Sequence, residues 1–237
     1  MTSFGLKIIA IISMFIDHLG YAWFKRTTGM NLIGRLAFPI FAFQISEGYI
    51  HTNNLKKYFL RLFIFALISQ IPFLLFRSTF TTEFSLNIFF TLFFGLFTIF
   101  LYDKLTNNSF SLMKNIKIDA FFKHFFAILC LLIIGILAEV AKFDYGFYGI
   151  LIIFTFYVFR NIKILMYISF IIASIIRYFL LIYTNSYTNF NIFLMIFSIL
   201  PLIFINIYNG KQGRKIKYFI YAFYPIHLLI LYFIFRT

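Results

Sequence analysis

Apolar runs long enough to cross a bilayer follow one another with little between them, and this limits what the chain can fold into. A membrane-crossing helix needs roughly 17–25 mostly apolar residues. Such runs fall at about 6–24, 31–50, 58–76, 86–102, 125–141, 146–159, 162–183, 190–207 and 217–235. Of the 237 residues 62% are hydrophobic, and mean hydropathy is +0.94, well above the roughly 45–50% apolar share of soluble domains. The expectation is an all-α, polytopic membrane helix bundle of about nine transmembrane helices in a single domain over 1–237. The first run follows Lys7 as its only charge and meets no small-residue cleavage pattern in "LGYAWFKRTTGM", so it reads as a retained helix. The longest loop, about 103–124, is too short to bury a core of its own.

The formal charge of +14 follows from the same topology. Fourteen of the 21 Lys and Arg residues lie in alternate segments: Lys7, the loops at 56–61, 104–123 and 160–163, and the run at 211–217. Five lie in the other loops (Lys25, Arg26, Arg77, Lys142, Arg236), and Arg35 and Arg177 lie inside runs. Positive residues gather on the cytoplasmic side, so the N-terminus is expected inside the cell and the C-terminus outside. This accounts for the basic charge without nucleic acid and makes membrane lipids the default partner of the basic loops.

Charged residues inside the runs are the candidates for function, because charge in hydrocarbon costs several kcal/mol. The stretch "MFIDHLG" sets Asp17 beside His18 in the first run. At about 1.5 Å per residue, Asp17, His18, Arg35 and Arg177 lie roughly 6–10 Å below the outer surface in one layer. Glu139 and Asp144 sit at the same side, the latter in "KFDYGFYG". Gln44, Glu47 and His51 share one face of the second run toward the cytoplasm, and His227 lies near mid-depth of the last. Lys7 precedes His18 by eleven residues, close to three turns, so both project from one face. Asp17 with Arg35 reads equally as an ion pair locking two helices, Glu47 as a partner of Arg61 or His51, and His227 as packing or function.

Several chemistries find no support in the sequence. The four histidines show no metal-ligand spacing, and GxSxG, P-loop and Rossmann patterns are missing. Cys130, alone, forms no internal disulfide. No internal repeat supports a transporter built from duplicated halves.

The stretches "LKIIAIISMFIDHLG", "IGRLAFPIFAFQISEGYIHTNNLKKYFLRLFIFALISQIPF", "LNIFFTLFFGL", "DYGFYGIL" and "YNGKQGRKIKYFIYAFYPIHLLILY" together resemble the TraX family of membrane acetyltransferases, named for a conjugation protein that acetylates the pilin N-terminus. A basic residue eleven before a histidine is also similar to the wider class of membrane acyltransferases, in which that residue is usually Arg; here it is Lys7, which offers a point charge and no two-pronged contact. The resemblance implies acetyl-CoA as cytoplasmic donor substrate, with no metal. Its phosphates would meet Lys7, Lys56, Lys57, Arg61, Lys211, Arg214 and Lys215. The acceptor, a peptide N-terminus, a pilin-like chain or a small molecule, would come from outside.

Acyl transfer from a thioester needs a base more than an acid, since a thiolate of pKa about 8.5 leaves readily while the acceptor must lose a proton. His18 is the expected base, its neutral form tolerating burial better than a carboxylate. Asp17 points about 100° away round the helix, so its expected partner is Arg35 or Arg177. Asp144 or Glu139 is expected to orient the imidazole, and Asn87 or His227 to donate to the oxyanion. Glu47, Asn87, Glu139 and Arg177 complete the polar layer. A proton-coupled transporter and a non-enzymatic membrane assembly partner are the alternatives.

Overall fold

A computed structural model of the chain describes residues 1–107, 116–184, 188–214 and 217–236. Among them the regular structure is helical: α1 (Ser3–Phe24), α2 (Gly29–Gly34), α3 (Ala37–His51), α4 (Leu55–Arg77), α5 (Ile88–Asn107), α6 (Ile116–Val140), α7 (Gly146–Val158), α8 (Lys163–Thr184), α9 (Thr188–Ile199), α10 (Pro201–Asn206) and α11 (Lys217–Phe235). Six of these (α1, α4, α5, α6, α8 and α11) contain stretches long and apolar enough to cross a membrane. The protein is a multi-pass membrane protein.

The remaining apolar runs become shorter pieces, and proline explains two of them. Pro39 has no amide to give the carbonyl of Arg35, and its ring crowds that carbonyl. The expected helix at 31–50 therefore stops at Gly34 and restarts at Ala37, leaving Arg35 at the corner. Pro201 in the first turn of α10 divides the run at 190–207 in the same way. The run at 146–159 forms the 13-residue α7.

Helix ends follow local chemistry. The Thr2 hydroxyl caps α1 by accepting from the Gly5 amide at 3.3 Å, and Asn54 Oδ1 caps α4 by accepting from Lys57 N at 2.8 Å. α1 closes with Lys25 in the left-handed region, its amide donating to Tyr21 O at 2.9 Å.

Lipid tails are as apolar as leucine, so close packing and polar ties hold such a bundle together. α7 is buried on nearly every side, whereas α6 and α8 turn Ile133, Ile136, Ile172 and Phe179 outward, toward lipid. Asp103 on α5 accepts from Tyr49 of α3 at 2.8 Å and Tyr157 of α7 at 2.9 Å. Asn87, just before α5, donates to Ala66 O at 2.7 Å and Gln70 Oε1 at 2.8 Å on α4. Tyr148 and Ser174 join α7 to α8 at 2.9 Å. Such ties contribute about 0.6–2 kcal/mol each.

Two connections position the site. The turn after α6 folds back against residue 86: Leu86 N donates to Lys142 O at 2.9 Å and Asp144 N to Leu86 O at 2.8 Å, while the Thr91 hydroxyl donates to the Asp144 carbonyl. Tyr145 adopts φ +67°, unfavourable for a side chain, and stacks on Phe38 at 3.9 Å between centroids. This carries Asp144 into the bundle. The second connection, after α10, runs over the start of α1, where Ser3 N donates to Lys211 O at 2.8 Å and Phe4 N to Gln212 O at 3.0 Å.

Candidate functional site

Asp17 and Arg35 form an ion pair, with Arg35 Nη2 donating to Asp17 Oδ1 at 3.0 Å. Asn31 Nδ2 reaches the same oxygen at 2.9 Å, and Arg35 Nε returns to Asn31 O at 3.0 Å. The broken second helix makes this possible, because Arg35 at the corner is freed to lie along α1. Gly34 allows the close approach: a Cβ there would stand 2.1 Å from Asp17 Oδ1.

One position on, the imidazole of His18 points elsewhere. Its Nδ1 lies 2.7 Å from Nε2 of His227 on α11, and His227 Nδ1 lies 2.7 Å from the carbonyl of Phe223. A carbonyl only accepts, so His227 carries its proton on Nδ1. In a neutral ring its Nε2 then accepts from the Nδ1–H of His18, which leaves Nε2 of His18 with the free lone pair. The chain of two rings fixes both tautomer and orientation.

His18 and Asp17 line a chamber of about 220 Å³ toward the C-terminal end of α1, with Arg35, Arg77, Asp144 and Arg177. Arg35 is committed to Asp17. Arg77 lies over the Phe73 ring at 5.6 Å with its Nε buried and unpartnered, and Arg177 over the Tyr148 ring at 5.3 Å. Asp144 makes no ion pair within 4.0 Å among the described residues. Burial pushes its carboxyl up to about 6, against the pull of Arg77, Arg35 and Arg177.

A second chamber of about 620 Å³, a size that suits a small-molecule ligand, lies at the other end of α1. Lys7, Lys57, Arg61, Gln44, Glu47 and His51 line it, with Gly210 and Gln212 from the connection after α10. Glu47 and His51 approach to 3.6 Å. Ser3 donates to Gln44 Oε1 at 2.6 Å, while Gln44 Nε2 and Arg61 Nε are buried without partners. The two chambers share four residues as a common wall: Met14, Phe41, Ile88 and Tyr224.

The structure thus brings His18, Asp17, Arg35, Asp144 and Arg177 to one chamber and Lys7, Lys57, Arg61 and Glu47 to the other. Other expectations are corrected. His227, 3% exposed, lines neither chamber, and both its nitrogens are engaged, so it orients His18 and has no donor left for an oxyanion. Asn87 spends its amide hydrogens on Ala66 and Gln70 and its oxygen on the Phe89 amide. Glu139 accepts from Phe147 N at 2.7 Å at an exposed helix junction, where it serves the start of α7. Lys56, Lys211 and Arg214 are exposed outside the second chamber, and Lys215 lies outside the described residues. The backbone after α10 turns the carbonyls of Lys211 and Gln212 to the amides at the start of α1.

Sequence reasoning missed Asn31, Arg77 and Tyr224. Arg77 sat at the end of an apolar run and read as a loop residue; its neighbour Phe76, whose ring lies 5.3 Å from that of His18, carried no polar signal. Among the described residues no group of three or more His, Cys, Asp or Glu is placed to hold a metal.

Comparison with known proteins agrees with this geometry in extent. The chain is 28% identical to the probable fimbrial assembly protein FimC, serogroup H1, of Dichelobacter nodosus, covering 97% of this chain and 94% of that protein. It is 36% identical over 85 residues to the uncharacterized protein RP591 of Rickettsia prowazekii (strain Madrid E), covering 35% of this chain and 32% of that protein. No solved structure matches. The family described as TraX protein matches residues 4–235, a range that takes in Asp17, His18 and α11 with His227, and the chain therefore belongs to the TraX family.

Proposed function

We propose that the protein is a membrane acetyltransferase that takes acetyl from cytoplasmic acetyl-CoA and places it on an amine or hydroxyl of an acceptor outside the membrane. In this reading the bundle crosses the bilayer nine times, with the N-terminus inside and the C-terminus outside. The carrying observation is the pair of chambers sharing one wall, beside a histidine whose Nε2 lone pair is left free by its contact with a second histidine.

The inner chamber suits the donor. Lys7, Lys57 and Arg61 against the single carboxylate of Glu47 leave a positive surplus for nucleotide phosphates. The pantetheine arm would extend along α1 toward Met14, bringing the thioester to the wall. The acceptor enters the outer chamber and gives its proton to Nε2 of His18 as its nitrogen or oxygen attacks the acetyl carbon. The new C–N or C–O bond forms, the C–S bond breaks, and the thiolate of CoA leaves on the inner side. The proton on His18 is released to the thiolate or to water. His227, accepting from the Nδ1–H throughout, steadies the imidazolium that forms. Asp17 and Arg35 hold the break in the second helix and so the shape of the chamber.

The test is transfer by purified protein in nanodiscs, with acetyl-CoA labelled in the acetyl group and a mixed pool of free-N-terminus peptides and amino sugars. Wild type should label the pool, and His18→Ala should lose about 10²–10⁴ in rate, the contribution of a general base, while still binding CoA. No transfer by wild type, or unchanged transfer by His18→Ala, would defeat the reading.

A second reading is favoured by the name of the fimbrial assembly relative: a non-enzymatic membrane partner in pilus assembly. There, substitutions in the polar chambers would change function only through protein level or complex formation.

A further inference from the structure

Tyr224 is one of four residues lining both chambers, and the other three, Met14, Phe41 and Ile88, have side chains that offer no hydrogen-bond donor. It is 3% exposed, and its hydroxyl is buried without a hydrogen-bond partner among the described residues. The amide of Ile88, in the first turn of α5, stands near the phenol oxygen but outside hydrogen-bonding geometry. A buried, unpaired hydroxyl costs stability, and this one belongs to a residue that lines both chambers. Its ring centroid is 6.1 Å from that of His18 and 5.8 Å from that of His227.

Pro225 follows it directly, inside α11. Proline removes the amide that would bond to the carbonyl of Tyr221, so the helix has a weak point one residue beyond the phenol. Phe89 meets the Tyr224 ring edge-on at 5.3 Å between centroids and limits its swing. Among the described residues no acceptor or donor claims the hydroxyl.

From this we propose that the Tyr224 hydroxyl binds the carbonyl oxygen of a short acyl thioester at the wall between the chambers, donating to that oxygen as it becomes an oxyanion. The inference rests on the acetyl-transfer reading above. It assigns the oxyanion donor to a residue distinct from the base and names the ligand class: a thioester whose acyl chain is short enough for the 220 Å³ outer chamber. When the acceptor attacks, the carbonyl π electrons move onto oxygen, the phenol O–H strengthens its hydrogen bond without transferring its proton, and the electrons return as the C–S bond breaks. No proton is gained or lost at Tyr224 over the cycle.

The test compares wild type with Tyr224→Phe in nanodiscs. Turnover with acetyl-CoA is read together with the affinities of two non-reactive probes: acetonyl-CoA, a thioether that keeps a carbonyl, and propyl-CoA, which has none. Tyr224→Phe should lower kcat by about 10²–10³-fold, as loss of one oxyanion donor does, with the pH–rate profile unmoved. It should also erase the preference of wild type for acetonyl-CoA while leaving propyl-CoA affinity unchanged. Equal loss of affinity for both probes would mark a packing role and overturn the inference, as would wild-type kcat in the variant. Wild type that transfers no acetyl to any acceptor would overturn the functional reading and this inference with it, whereas active wild type with active Tyr224→Phe overturns this inference alone.

Discussion

Replacing His227 by phenylalanine removes one nitrogen contact from His18 while keeping a flat ring of similar size in the stack between Phe223 and His18. The magnitude follows from the hydrogen-bond chain. His18 Nδ1–H loses its acceptor at 2.7 Å and is left buried, which disfavours the tautomer with a free Nε2 lone pair by about 1–3 kcal/mol. At about 1.4 kcal/mol per decade this predicts a fall in kcat of about 5- to 150-fold. CoA affinity should stay within about twofold, because His227 lines neither chamber. His227→Gln, which offers an amide oxygen as acceptor, should recover part of the loss. The assay is acetyl transfer at saturating donor with CoA binding measured in parallel. His227→Phe with wild-type kcat would refute the tautomer argument, and equal losses in turnover and CoA affinity would show a structural effect instead.

Three further outcomes are expected. Gly34→Ala should destabilise the protein by about 1–3 kcal/mol through overpacking against Asp17, whereas Gly29→Ala, where a Cβ meets nothing within 4 Å, should melt like wild type. Lys57→Ala and Arg61→Ala should weaken CoA binding, more at low salt than at high, while Lys56→Ala, exposed outside the chamber, should not. Asp144, pushed up to about 6 by burial in the company of Arg77, Arg35, Arg177 and Asp17, binds a proton in the folded chain that the unfolded chain has released. Its contribution therefore makes stability fall as pH rises from about 4 to about 6 and stay level above that. Asp144→Asn should remove this slope from thermal melts taken across that range.

What could be read from the sequence was what depends on neighbours along the chain. Asp17, Lys7 and His18 lie on one helix, so their spacing already told which side chains share a face and which diverge. The choice of Arg35 or Arg177 for Asp17 narrowed to Arg35 because the second helix breaks at Pro39, an event local sequence could signal. By contrast, the contact of His18 with His227 spans 209 residues, and nothing in either helix announces it. The role of Tyr224 depends on the absence of a partner, which only packing can reveal. A basic residue near a helix end need not line a chamber: Lys56 and Lys57 are neighbours and both exposed, yet only Lys57 lines the chamber with Lys7 and Arg61. Apolar runs likewise gave helix positions, while the proline breaks and the back-folded turn before α7, which carries Asp144 inward, came from backbone constraints that hydropathy does not register.

The strap laid by residues 209–213 over the opening turn of α1 has a consequence for biogenesis. Ser3 and Lys7 face Gly210, Gln212 and Tyr221 across one space, so its walls come from opposite extremes of the polypeptide. During synthesis the amides of Ser3 and Phe4 wait for the carbonyls of Lys211 and Gln212 until the helices between them have been made. A chain cut short before that moment has a vestibule with one side missing, and the enclosed space arises in one late step, when the connection after α10 and α11 close over α1.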